Sequence, residues 1–480
     1  MAWRAHLTGL ATVVLLSCGT TTGTAAREEI TVFSGSRPSI AWIEAVGERD
    51  AALDEIDGIS VTDDGTTIIA GVFRGSIDLA GETYSSRGEG DVFLASIGVD
   101  GRQRWAKRFG GPGDDNAFDV TTDGAGNIIL SGWFADSVDF GGQTLVSRGD
   151  QDQFLAKYAP DGSLIWARRF GGPQGDGGNE VAVTPGGEIA VSAITAGDFE
   201  VDGQVYPFGG GRRDSLVLRL SPEGQVRWVV PAGGPGLERI RALSMTPSGD
   251  VYVGFQFRGQ LDMAGRTLAG AGRWDGAFAR LTPSGDLAWL LPMASRGIDG
   301  VRGVGATDDG NVYASGIVGG GGGSLAGRSV QGFGRDTDFV LKVTPDGQPI
   351  WLLTLAGSGR TNNGGEIIVN EAGVIVSTLM TGEVTVRRDS EVVAMLEPRG
   401  SGTTSLLMGF DHGGTPRFAF RPEPGGASGA ALGDVLSVSP NGRYLAQALR
   451  FRDRLNVAGT ELSTPAERDS AAILLRLDGP

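Results

Sequence analysis

The chain has 480 residues with 41 basic and 57 acidic side chains, a net charge of −16, and 81 glycines. The acidic balance argues against a binder of nucleic-acid backbones, and glycine without a G-X-Y period excludes collagen and points to many tight turns. One cysteine, Cys18, and two histidines, His6 and His412, exclude an intrachain disulfide, a thiolate metal cluster and a histidine-centred triad or metal site.

At the N-terminus, Arg4 precedes a mostly apolar run from Leu7 to Leu16. The run is too short to span a bilayer core of ~30 Å but suits a secretory leader. It ends in Leu15-Leu16-Ser17-Cys18, which resembles the lipobox of bacterial lipoproteins. That resemblance implies a signal peptide over residues 1–17 and acylation of Cys18, with palmitate-type chains as the anchor. Gly19, rather than Asp, after the cysteine implies the outer membrane. Residues 18–36, rich in Thr, Gly and Ala, are read as a flexible tether.

The rest of the chain repeats. Trp42, Trp105, Trp166, Trp228, Trp289 and Trp351 recur at steps of 61 to 63 residues, and Phe418 takes the next place. Each sits in a phrase such as APDGSLIWARRFGG, a Pro-Asp-Gly turn leading into a short apolar strand that glycines break. Within a unit, alternating runs such as EVAVTPGGEIAVSAI and SLVLRLSPEGQVRWVV read as hairpins separated by a long glycine-rich loop. Four antiparallel strands per unit, seven units and no helical period predict an all-β, seven-bladed β-propeller over residues 37–480. The recurring Trp is expected to wedge between neighbouring blades. The chain ends on a third strand, SAAILLRLDGP, and begins with a fourth, RPSIAWIEAVG. The N-terminal strand should therefore complete the last blade and close the ring.

The phrases DGxxxWAKRFGGxGxD, VxxDGxGNxxxxGxF, VDFGG and DxFLAK are similar to those of a bacterial β-propeller repeat family of secreted and surface lipoproteins. Units one, two and four match well, and units six and seven drift. The DGxxxW phrase also resembles the Asp-box of sialidase-type propellers and the tryptophan-docking repeat of quinoprotein dehydrogenases, in architecture alone.

Ligands of propellers usually enter at the rim that carries the long loops. That rim is predicted to carry Glu48, Asp50, Asp114, Asp115, Asn116, Asp176, Asn179 and Glu180. Such oxygen-rich loops suit Ca²⁺, but none has the twelve-residue calcium-loop spacing, so no cofactor is expected. Asp91, Asp152, Asp214, Asp275 and Asp469, with Thr337 and Thr404 in the equivalent places, are read as caps where a loop enters the third strand. No catalytic residue is assigned. The expectation is a monomeric, lipid-anchored, non-catalytic binding scaffold of the cell envelope, for a protein, glycan or small ligand at the long-loop rim. The alternative is a carbohydrate-active hydrolase or lyase using rim carboxylates or a loop-bound cation. Nucleic acid is not an expected partner.

Overall fold

The computed structural model describes residues 30–34, 38–46, 54–307, 309–319, 321–332, 336–357, 365–397, 403–424, 432–451, 454–457, 460–463 and 469–477. Among these residues there is no helix, and the strands form seven antiparallel blades. Blade 1 runs Glu55–Val61, Thr67–Phe73, Asp91–Ile97 and Gln103–Phe109, hydrogen-bonded in chain order from the axis outward. Blades 2 to 6 repeat the order from inner strands beginning at Asp115, Asp176, Leu237, Gly300 and Ile367. The second and third strands are almost wholly buried, as in TIIAGVF and DVFLASI, because both faces are covered by neighbouring blades. The core is accordingly a set of inter-blade layers. Phe73, Phe93 and Ile69 of blade 1 pack with Trp42 and Leu474 of blade 7, and Phe109, Phe140, Phe154 and Tyr158 stack between blades 1 and 2.

Closure occurs as the termini predict. Ser39–Val46 pairs with Asp469–Arg476, from Ser39 opposite Arg476 to Val46 opposite Ser470, and so becomes the outer strand of blade 7. Its buried Glu44 accepts a 2.8 Å hydrogen bond from Gln103 Nε2 of blade 1.

Two features depart from the sequence reading. The stretch read as a tether contains a strand, since Ile30–Val32 pairs with the outer strand of blade 6, Ile30 opposite Phe420 and Val32 opposite Phe418. Three β-branched residues and a neighbouring open edge are sufficient cause. Cys18 and the rest of residues 1–29 lie outside the described residues. The long glycine-rich loops, in turn, are hairpins. Each blade inserts one between its second and third strands, such as Ser76–Leu79 with Glu82–Ser85 and Gln260–Met263 with Arg266–Ala269. In blades 1 to 5 their two-residue turns place both residues at positive φ, as at Ala264 (47°) and Gly265 (77°), the conformation that suits a twisted two-residue hairpin. Three of these hairpins hydrogen-bond to the outer strand of the preceding blade and extend it to six strands.

Candidate functional site

Each repeated Trp lies on the strand 3–4 turn of the next blade. Trp166 Nε1 donates to Pro222 O at 3.1 Å, and a Cβ added at Gly224 would stand 3.2 Å from the Trp166 ring. Trp105, Trp228, Trp289 and Trp351 donate in the same way to Pro160, Pro283, Pro345 and His412 carbonyls. A cation from the third strand reaches the same carbonyl in four blades: Lys157, Arg219, Arg280 and Lys342. His412 Nδ1 also meets Tyr313 Oη at 2.8 Å. Trp42 lies against Gly101, and its Nε1 has no acceptor among the described residues. Phe418 is buried and has no N–H to offer.

The rim carboxylates do not converge on one point. Asp114 is half-buried and paired with Arg74 at 3.3 Å. Asp115 is buried and accepts from Gly111 N (2.8 Å) and Ala135 N (3.1 Å). Asn116 Oδ1 is buried with no hydrogen-bond partner among the described residues. Asp176 is buried and accepts from Gly172 N. Asn179 Nδ2 donates to Ile240 O of blade 4 at 2.7 Å. Glu180 stands inside the axial channel, away from the rim. Glu48 and Asp50 lie outside the described residues.

Four of the residues at the start of the third strand act as loop caps, whereas Thr404 donates its hydroxyl to Pro422 O and the side chain of Asp469 lies outside the described residues. Asp91 accepts from Arg87 N and is paired with Arg108 at 2.7 Å, and Asp152 accepts from Arg148 N and is paired with Arg169 at 2.6 Å. Asp214 and Asp275 accept from Gly209 N and Ala271 N. The structure adds a partner that the sequence reading missed. Twenty-four residues after each of these four stands a second buried acid: Asp115, Asp176, Glu238 and Asp299, at the start of the first strand of the next blade. Burial pushes Asp115 and Asp176 up to about 7, with the neighbouring Asp91 and Asp152 charges adding to the rise. Burial and Asp214 push Glu238 up to about 8. Where the first position is Thr337 or Thr404, the residue twenty-four further on is Thr361 or Ser428, so the two carboxyls are lost together. That joint loss, visible in the sequence, was the available signal.

Two concavities flank the blade 3 hairpin, Phe199–Val201 with Gln204–Tyr206. One of about 360 Å³ is lined by Tyr206, Asp214, Asp262 and Met263 among others. The other, of about 450 Å³, is lined by Gln174, Asp198, Glu200 and Phe208. A third cavity of about 170 Å³ lies on the axis, walled by the inner strands of all seven blades. Here Asp119 accepts from Val120 N and Val181 N, both at 2.8 Å, and Glu366 accepts from Leu436 N at 2.7 Å, so these two carboxylates tie blade 2 to blade 3 and blade 6 to blade 7. Among the described residues no three His, Cys, Asp or Glu side chains form a metal-holding group, and no helix is long and apolar enough to cross a membrane.

No family profile matches the chain. A stretch of 151 residues is 28% identical to the regulatory protein FlaEY of Caulobacter vibrioides, covering 31% of this chain and 16% of that protein. Among solved structures, an apocarotenoid oxygenase mutant of Synechocystis aligns over 92% of this chain and 94% of its own at 12% identity, TM-score 0.38. The dihydro-heme d1 dehydrogenase NirN aligns over 81% and 73% at 12%, TM-score 0.35. The gluconolactonase XC5397 of Xanthomonas campestris aligns over 90% and 98% at 10%, TM-score 0.31. Likenesses this distant carry no site or activity across. The seven-bladed, all-β architecture is what the chain's own strand pairing establishes.

Proposed function

We propose that the chain is a lipid-anchored β-propeller of the bacterial outer membrane that serves as a non-catalytic binding scaffold. The observation that carries the binding reading is the pair of rim cavities beside the blade 3 hairpin. Their volumes, about 360 and 450 Å³, fall in the range of small-molecule and sugar sites. They combine aromatic rings, Tyr206 and Phe208, with carboxylates, Asp262 and Asp198, a mix that suits a glycan or the side chains of an envelope protein. The anchor rests on the Leu-Leu-Ser-Cys leader, since two or three acyl chains hold a protein stably at a membrane.

Glycan-array and thermal-shift screening tests the binding reading. A ligand should raise the melting temperature, and Tyr206→Ala or Phe208→Ala should abolish that rise. Turnover of a polysaccharide that is lost in Asp198→Asn or Asp262→Asn would replace the scaffold reading with the hydrolase one. Cys18→Ser should move the protein from the membrane to the soluble fraction; unchanged fractionation would refute lipidation.

A further inference from the structure

Three residues before the ends of the first five inner strands, at one register, stand Gly58, Asp119, Glu180, Ala242 and Gly303, while Arg241 and Arg302 occupy the bulge one residue earlier in blades 4 and 5. Only blades 2 and 3 place a charge at that register. The fold thus does not require a charge there, and the repeat does not supply one by copying. Asp119, Glu180 and Arg302 all line the axial cavity, with Glu366 of blade 6 completing the charged part of its wall.

The Glu180 carboxyl is the unusual member. Asp119 and Glu366 accept backbone N–H groups across blade junctions, but no described group donates a hydrogen bond to the Glu180 side chain. It is ringed by protein yet part-exposed to the water of the channel. Burial and the neighbouring Asp119 raise its pKa, and Arg241 acts in the opposite sense. An unpartnered carboxyl in a narrow channel is held against its desolvation cost, which a cationic partner would relieve.

The volume limits that partner. A cavity of about 170 Å³ is close to the ~150 Å³ that accommodates benzene in a protein interior, so about six non-hydrogen atoms fit. A glycan or peptide does not. We propose that the axial channel binds a small dipolar molecule of amino-acid type, its ammonium group at Glu180 and Asp119 and its carboxylate toward Arg302. This site is separate from the rim cavities, so the rim reading and this one stand or fall independently.

The test is calorimetric titration of the intact chain, purified in detergent, with β-alanine and γ-aminobutyrate. Propionate and propylammonium serve as singly charged controls. The zwitterions should bind, and each control at least about tenfold more weakly. Glu180→Gln and Arg302→Gln should each weaken zwitterion binding by about tenfold or more, a change of about 1.4 kcal/mol. Glu180→Gln is close to isosteric and breaks no hydrogen bond to the Glu180 side chain among the described residues, so it carries the test even if Arg302→Gln does not fold. No heat from either zwitterion at about 1 mM, or equal binding by the wild-type chain and Glu180→Gln, would overturn the proposal.

Discussion

At the scale of single residues, the joint between blades is a carbonyl with two donors. Pro222 O receives Trp166 Nε1 and Lys157 Nζ, and the glycine two residues on gives the indole a flat seat. Trp166→Ala should cost about 3–5 kcal/mol in denaturant unfolding, the usual range for removing a packed indole. Two glycines separate strain from contact. Gly224 and Gly81 share a φ near +80°, but an added Cβ meets the Trp166 ring at 3.2 Å in the first case and nothing within 4 Å in the second. Gly81→Ala should therefore cost about 1–2 kcal/mol, the left-handed backbone penalty alone, and Gly224→Ala measurably more. Equal costs would show that the indole gives way freely.

The buried acid pairs make stability depend on pH. Asp115 and Asp176 near 7 and Glu238 near 8 hold protons in the folded state that an unfolded chain releases near 4. Their contribution is complete below about pH 4 and fades as pH rises through 7 to 8, because the folded state binds more protons across that window. Asp123, held low by Asn127 and Lys157 despite burial, acts in the opposite sense, but only below the ordinary carboxylate range. The melting temperature should be higher at pH 5 than at pH 8, and Asp115→Asn should flatten the difference. A protein more stable at pH 8 would contradict the assignment. The caps were legible as Asp in a loop entering a strand. Their partners were not, because they lie a whole connection away and meet only when blades stack.

At the scale of elements, each inserted hairpin shows how a period-two signal is lost. Three- and four-residue strands such as Ser137–Asp139 and Thr144–Val146 are too short to show alternation, and the glycines around them read as loop. The Ala-Gly, Asp-Gly and Gly-Gly pairs at their centres were the legible cue. The strand Ile30–Val32 was hidden for a different reason, since three β-branched residues are too few to show a pattern and their pairing partner, the open edge of Phe418-Ala419-Phe420, lies nearly four hundred residues away. Deleting residues 30–34 should speed amide hydrogen exchange along Pro416–Phe420 and leave blade 3 unchanged. No change at blade 6 would mean that the edge is not held by this strand. Glu180 was misplaced by the same limit. Its number puts it near a loop, but the bulge between Gly178 and Val181 sets it on the inner strand, facing the axis.

At the scale of the whole molecule, blade number and closure were legible because they follow from counting. A step of 61 to 63 residues and a unit split between the termini leave one ring. Which loops form cavities was not legible, because that depends on where a hairpin lands on the preceding blade. Removing residues 1–46 should abolish cooperative unfolding, whereas removing residues 1–29 should leave the melting temperature within about 2 °C, the scale of a shift well under 1 kcal/mol for a large domain.

The pairing of Ser39 with Arg476 also sets a clock on biogenesis. The first of these strands must wait for the second to be made, more than four hundred residues later, so the ring cannot seal until Asp469–Arg476 has left the ribosome. A chain exported as proposed would keep an open end for the whole journey, and its last act of assembly would fall on the far side of the membrane.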